Sequence, residues 1–406
     1  MKRLFSPLLI FLVMTVTYAG SVVARRHIFF KLPPQVSTVG MIAQYKLSGS
    51  PETSSSVFDY RCGGKDGTLN DATGGTLLPR YPGLEFDGTE DYISIADDSD
   101  FSNGSPSILN NSGFGTWASD DPTGWTEYGE SGTDPMVTEV GAGEDHTGAG
   151  SNFACMYSTN AAIDVSQVVA LEIGKVYRVG IWIQTATDGG VYISEARHAM
   201  YADTTYTTTG RKTITFTATY TDAAIMLAHA EGTSCDITFD DFHIVEVKPL
   251  SISAWIAMQD ATSFTIASKG IYQTDAEWFF STDAADKLCF RKFDELAASP
   301  YVGRTYDAAL TASEDKWIHV TATDDGGIAS TGVSLYIDGT AVDDASQEQQ
   351  ETRFLTVKNG TAQVWLGRYN TDYADGLIDD VRFWNKELSD VDVKNIYERT
   401  RWRYSK

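Results

Sequence analysis

The sequence predicts an all-β protein, and three observations carry that prediction. Tyr, Phe and Trp make up 12% of the 406 residues, 35 residues are glycine, and Thr, Val and Ile are abundant, a composition that suits pleated, half-buried surfaces. Apolar and polar residues alternate in short runs broken by Gly and Asp, the pattern of strands and turns. Long stretches of helical period are absent. The length suffices for two or three domains, each with its own core. A net charge of −24 repels phosphate backbones and argues against nucleic acid as a partner. The same acidity suits divalent cations, or simply a solvated surface.

At the amino terminus Lys2 and Arg3 precede the apolar run "LFSPLLIFLVMTV", and small residues follow at Thr17, Ala19, Gly20 and Ala24. Residues 1–24 read as a secretory signal cleaved after Ala19 or Ala24, or as an uncleaved amino-terminal anchor. The first reading makes the protein secreted or extracellular, and the second anchors it in a membrane or a larger assembly. Residues 25–39, with Pro33, Pro34 and Ser37, read as an extended lead-in, and "ARRHIFFKLPPQ" within it as an arm for docking into a larger assembly.

Downstream, "FDGTEDYISI" is a hairpin, with Asp87-Gly88 as the turn signal between alternating strands. The segments "FACMYS", "KVYRVGIWIQTATDGGVYIS", "GRKTITFTATYTDAAIMLAHAEG" and "CDITFDDFHIVEV" continue the alternation, and so do "LCFRKF", "KWIHVTATDDG" and "VSLYIDGTAV". Near the carboxy terminus, "QVWLGR" points Val364 and Leu366 inward and ends at a glycine. "GLIDDVRFWN" follows as a second strand. Ser389 stands at a helix N-cap position with Asp392 three residues on, so a short helix carrying Val393, Ile396 and Tyr397 packs back onto the sheet.

This last unit resembles the end of a laminin G-like, concanavalin A-like jelly roll, whose members close with "G-x-IDDVRIYN-x-x-LS" and such a helix. The stretches "GMIAQYKLSGS", "DGTL" and "LEFDGTEDYISIADDSDF" resemble the opening of the same family in the same order, yet its next strand, "F-x-ISAWV", appears only at "LSISAWIAMQ" (250–259). The resemblance therefore implies two β-sandwich (jelly-roll) domains, the second inserted into the first. Residues 40–102 and 250–398 form the outer sandwich, 103–249 the inserted one and 399–406 a basic tail. The insert resembles carbohydrate-binding modules of families 4 and 9, which open "N-x-x-F-E-x-W…GW", carry a central "Y-x-V-S-F-W" strand and end "F-x-IDDV". It departs from them at Gly115, where the family has an acid. On this partition Cys62 and Cys289 fall in one domain and Cys155 and Cys235 in the other; one pair in each, or four free thiols, are both open.

Catalytic motifs are missing from the sequence: it has no H-E-x-x-H, C-x-x-C, G-x-S-x-G or phosphate-cradling glycine loop. Glu85, Asp87 and Glu90 resemble the E-x-D-x-x-E of family 16 glycoside hydrolases. Gly88-Thr89 interrupts the strand those acids would have to share, and the phrase equally matches the "FDGTDDYV" hairpin of non-catalytic relatives. His319, in a "W-x-HVA"-like strand, reads as a packed residue. The resemblances imply a structural calcium, with Asp240 and Asp379 in the "DD" motifs and Asp275 and Asp372 in rim loops as ligands. Sugar binding needs aromatic faces with nearby polar groups. The insert offers Tyr192, Arg197, His198 and Tyr201 as a platform, with Trp117 and Tyr128 beside them, whereas Trp125 and Trp182 fall on family core positions.

The expectation is a non-catalytic glycan-binding or adhesion protein, working by avidity of many weak sites. Its partners would be glycans or polysaccharide, and subunits of a virion or surface assembly contacted through the amino-terminal arm or the basic tail (Arg399, Arg401, Arg403, Lys406). Sandwiches decorated in this way look like those of tailed-phage structural proteins and bacterial surface proteins. Two alternatives stand beside it: a purely structural virion subunit without glycan affinity, and a glycoside hydrolase.

Overall fold

The computed structural model describes residues 38–47, 56–57, 59–61, 64–70, 82–119, 121–131, 134, 136–140, 153–201, 203–294, 301–342, 348–350, 354 and 357–405. Residues 1–24, expected to be a signal or anchor, nearly all of the expected lead-in, Cys62 and Lys406 lie outside these. Among the described residues, no helix is long and apolar enough to cross a membrane.

The fold is all-β and consists of two sandwiches, the second inserted into the first. In the outer one a seven-stranded sheet faces a nine-stranded sheet. The strand that completes it, Asp375–Trp384, lies between partners from both ends of the chain. On one side it pairs with Met41–Tyr45, placing Ala43 opposite Phe383, and with Leu84–Asp87, placing Phe86 opposite Gly376. On the other it pairs with Leu250–Met258, placing Ile256 opposite Ile378. Alternation along these strands sends Ala43, Phe86, Ile252, Ile378 and Phe383 into one core, which Trp278, Phe280 and Phe290 enter from the opposite sheet. Two lysines also point inward. Lys292 pairs with Asp324 at 2.6 Å, and Lys269 pairs with Glu277 and Asp97, all with buried ammonium groups.

The helix Asp390–Thr400 begins at Ser389, whose Oγ accepts the Asp392 amide while the Asp392 carboxylate accepts the Ser389 amide. Its Val393 and Ile396 pack with Met41, Tyr336, Trp384 and Leu388. Beyond it the chain stays attached: the Tyr404 ring stacks 4.2 Å from Trp255, and the Trp255 indole donates to Thr400 Oγ1 at 2.8 Å. Trp402, by contrast, is 70% exposed.

The inserted sandwich has two five-stranded sheets and a core of its own, which includes Phe114, Trp125, Val179, Ile181, Ile193, Leu227, Phe239 and Ile244. Where the chain leaves and re-enters the outer domain, Asn103 Nδ2 donates to Lys248 O at 2.7 Å, holding the two connections together. From the insert, Arg178 donates to Gly326 O at 3.2 Å and is almost wholly buried. Cys155 and Cys235 are free thiols. Their strands pair, but Cys155 lies opposite Thr238 and Cys235 opposite Ser158, so the two side chains leave opposite faces of the sheet and no disulfide joins them.

The "DD" motif builds the same device in each sandwich. In both, the first Asp is buried and its Oδ1 accepts the next amide, Asp241 N at 2.6 Å and Asp380 N at 2.7 Å. In both, the second Asp has a left-handed backbone, φ 51° at Asp241 and 50° at Asp380, and the strand register shifts there. These are β-bulges that re-aim the strand end.

Candidate ligand-binding face of the insert

The face is set by the register of four neighbouring strands. Val191–Glu195 pairs with Asp222–His229, which pairs with Ile163–Ala170, which pairs with Thr126–Tyr128. Tyr192 lies opposite Ala228, Ala228 opposite Asp164, and Asp164 opposite Tyr128. Directly opposed residues share a face, and Ile163, Val165, Ile193 and Leu227 fill the core, so these four form one row on the outer side. The two tyrosines stand three strand spacings apart, roughly 14 Å. Between them are a small Ala and a carboxylate. Tyr128 is 70% exposed, and Tyr192 and Asp164 are half-buried. Burial raises the pKa of Asp164 above the ordinary carboxylate value, and burial followed by the field of Asp203 and Asp164 raises that of Tyr192. Two aromatic rings flanking an acceptor is an arrangement that can stack sugar rings and fix a hydroxyl between them.

The other platform residues stand elsewhere. Arg197 pairs with Asp222, and His198 Nε2 lies 3.2 Å from the same carboxylate. The His198 ring stacks 4.0 Å from Tyr220 with 9° between planes. Asp222 is six positions along its strand from Ala228, about 20 Å, so this knot is separate from the tyrosine row. Its turn is built by Glu195, whose carboxylate accepts the amides of Arg197, His198 and Ala224 at 3.0, 2.6 and 3.0 Å. Burial would raise its pKa, but the three amides outweigh that and hold it low. Tyr201 turns inward against Phe216, with 5.1 Å between ring centroids, and its hydroxyl is buried without a partner. Trp117 packs on Phe114 and donates its indole N–H to the Phe114 carbonyl. Asp164 and Ala228 carry the row yet were not among the residues singled out from sequence. The signal for Asp164 was there, as the polar position of the alternating "IDVSQVV".

The expected calcium ligands are dispersed. Asp240 is fully buried in the insert, its Oδ1 only 3.8 Å from where a Cβ on Gly113 would stand. Asp379 accepts the amides of Leu47 and Asp380, both at 2.7 Å, and the Tyr404 hydroxyl at 2.6 Å, with Arg403 at 3.4 Å. Asp275 Oδ1 accepts Ile271 N at 2.6 Å and closes its own turn. Asp372 stands at the start of a short strand, and desolvation of its carboxyl raises its pKa. Among the described residues, the carboxylates that converge are Asp121, Glu127 and Glu130, with oxygens within 4.8 Å of one another. Burial, then Glu130, pushes the pKa of Glu127 up.

Glu85 and Asp87 lie on one strand, whereas Glu90 sits in the following turn at φ 64°. Asp87 Oδ1 is engaged by the Thr89 amide at 2.8 Å. His319 is 1% exposed beside Trp255, and burial drives its pKa down to about 3.

Residues 231–394 match the family model described as the concanavalin A-like lectin/glucanases superfamily, laminin G type. Among solved structures, the binding domain of botulinum neurotoxin DC in complex with SialylT is similar at 20% identity over 38% of this chain and 36% of that one, TM-score 0.27. TmCBM61 in complex with beta-1,4-galactotriose is similar at 23% identity over 34% of this chain and 98% of that one, TM-score 0.27. Domain 4 of AbnA, an extracellular arabinanase from Geobacillus stearothermophilus in complex with arabinotriose, is similar at 17% identity over 56% of this chain and 100% of that one, TM-score 0.28. The chain spans about a third of the length of the toxin domains it matches. No curated protein matches it.

Proposed function

We propose that this protein is a non-catalytic glycan-binding adhesin, displayed on a virion or cell surface, which holds sugar on the Tyr192–Ala228–Asp164–Tyr128 row. The observation that carries the proposal is the register itself: two outward tyrosines and a carboxylate, from four strands, aligned across one sheet. The description of the matched superfamily, lectins and glucanases, supports a sugar ligand. The non-catalytic reading rests on the acids of the "FDGTEDY" phrase, which are divided between a strand and a left-handed turn. One such face gives weak stacking, and display in many copies would turn it into adhesion. The charged, then apolar, amino-terminal sequence supports export.

A structural calcium belongs to the same proposal, at Asp240. The surroundings fit to this extent: a fully buried carboxylate, its Oδ1 accepting the Asp241 amide, stands beside Gly113 with no side chain between, and a carboxylate oxygen is a ligand of the kind calcium takes. Bound there, the ion would neutralise the carboxylate and tie that loop to the strand.

The test is a glycan array with the whole protein, with calcium and with chelator. Specific sugar binding that falls on Tyr192→Ala and Tyr128→Ala is expected. Binding indifferent to both changes removes the row. No binding to any glycan leaves the structural-subunit reading, and release of sugar from a bound glycan would reinstate the hydrolase.

A further inference from the structure

The outer sandwich carries a concavity of a different kind. Alternation along Trp278–Thr282 and Leu288–Phe293 sends Trp278, Phe280 and Phe290 into the core and turns Phe279, Arg291 and Phe293 to the far face of the nine-stranded sheet. Tyr369 covers Phe279 at 4.4 Å between centroids, and Tyr272 covers Phe293 at 5.6 Å. The Tyr272 amide donates to Asn370 Oδ1 at 2.9 Å, so the two covering loops are tied together. Between loops and sheet remains a cleft of about 300 Å³, at the lower end of the sizes that small-ligand sites take.

Arg291 sets the chemistry of this cleft. Its guanidinium lies 4.9 Å from the Tyr301 ring centroid and 5.7 Å from that of Phe279. Opposite it stands Gly303, where a Cβ would be 2.1 Å from the Phe290 carbonyl oxygen and 2.9 Å from Arg291 Cγ. Only glycine leaves room for the arginine stem. Arg291 Nε is buried without a hydrogen-bond partner, and so is the Tyr369 hydroxyl. Among the described residues no carboxylate forms an ion pair with Arg291. Of the two acids lining the cleft, Asp283 is engaged by the amides of Ala285 and Lys287 at 2.9 and 3.0 Å, and burial raises the pKa of Asp372, which favours its neutral form. A half-buried guanidinium between aromatic rings, its Nε buried without a partner and no carboxylate paired to it, matches a carboxylate, because its planar donors fit two oxygens at once.

We infer that this cleft binds a carboxylate-bearing saccharide unit, its acid group on Arg291 and its ring face against the aromatic wall. An unmade buried donor is a standing cost, and the carboxylate removes it, whereas a neutral sugar offers no charged acceptor. The site is on the other sandwich from the tyrosine row and stands or falls independently of it.

The experiment is calorimetric titration of the full chain carrying Tyr192→Ala and Tyr128→Ala, so that the insert's contribution is reduced and the Arg291 variants read the cleft. Three probes are compared: tri-β-1,4-mannuronate, β-1,4-mannotriose, which differs only at C6, and benzoate, a ring carboxylate without hydroxyls. The mannuronate trimer is expected to bind at least about tenfold tighter than mannotriose, with benzoate weaker than mannuronate. Arg291→Gln should erase the preference, Arg291→Lys should leave part of it, and added salt should weaken it. Equal affinity for the two trimers, a preference that survives Arg291→Gln, or no binding at all overturns the inference. Benzoate as tight as mannuronate overturns its saccharide part. Should Arg291→Gln not fold, Tyr369→Phe keeps the ring and is expected to weaken mannuronate binding severalfold; unchanged affinity in that variant also overturns it.

Discussion

Tyr404 donates its hydroxyl to Oδ2 of Asp379 at 2.6 Å, fastening the last turn of the chain to the strand that completes the outer sheet. On Oδ1 the same carboxylate accepts the amides of Leu47 and Asp380. One side chain thus joins the segment just past the first strand, the bulge and the tail.

Asp379→Ala should therefore destabilise the outer sandwich heavily. It strands two buried amides and a buried hydroxyl, and losing one partner of such a set costs about 3–5 kcal/mol. Asp379→Asn retains one acceptor and should fall between. Denaturant unfolding followed by tryptophan fluorescence reads the difference; an alanine variant within about 1 kcal/mol of the parent would contradict the anchoring role.

The buried imidazole of His319 gives stability a pH dependence. Its folded pKa is depressed to about 3 from 6.5, so the unfolded chain takes up a proton that the folded one refuses. The contribution is fully present above about pH 6.5 and is lost progressively as pH falls towards 3. The slope from this group is at most about 1.4 kcal/mol per pH unit. His319→Gln should flatten the fall in melting temperature across that window, and an unchanged slope would rule out this residue as its source.

Much of the fold was legible in the sequence because it lies in local patterns. The capping pair Ser389 and Asp392 and the alternation of Val364 and Leu366 are short-range signals, and the order of the strand motifs exposed the insertion, whereas the "DD" motifs, read as calcium ligands, turned out to form β-bulges. The tyrosine row was not legible as a row. Tyr192 and Tyr128 could be named from residue type, but their alignment depends on the register of four strands, which no local pattern encodes. Arg197, His198 and Tyr201 were grouped with Tyr192 by proximity in sequence. The strand ends at Glu195, alternation stops there, and the turn that Glu195 holds carries Arg197 and His198 away while Tyr201 folds inward. Arg291 gave no signal, since its environment comes from Gly303 opposite and Tyr301 and Tyr369 from other segments.

Along the tyrosine row, Tyr192→Ala and Tyr128→Ala should each weaken glycan affinity about 2- to 10-fold, the worth of one aromatic contact. Tyr192→Phe should lose less, since stacking remains. Asp164→Asn tests the polar anchor between them. Calorimetry with a glycan drawn from the array measures all four, and affinities unchanged within twofold would dissolve the row as a site.

Calcium at Asp240 predicts a melting temperature that rises with calcium and falls in chelator, since an ion held only by the folded state stabilises it by mass action. The rise should vanish in Asp240→Asn. Superimposable melting curves with calcium and with chelator would end the assignment.

The pairing of Met41–Tyr45 with Asp375–Trp384 has a consequence for biosynthesis. Met41–Tyr45 and Leu84–Asp87, two of the seven strands of that sheet, leave the ribosome long before their partner exists, and at about 5–20 residues per second the wait lasts on the order of tens of seconds. Meanwhile the insert, contiguous in sequence, can collapse alone. Both strands pair with Asp375–Trp384 and not with each other, so they spend that interval with unpaired edges, exposed to association with other chains.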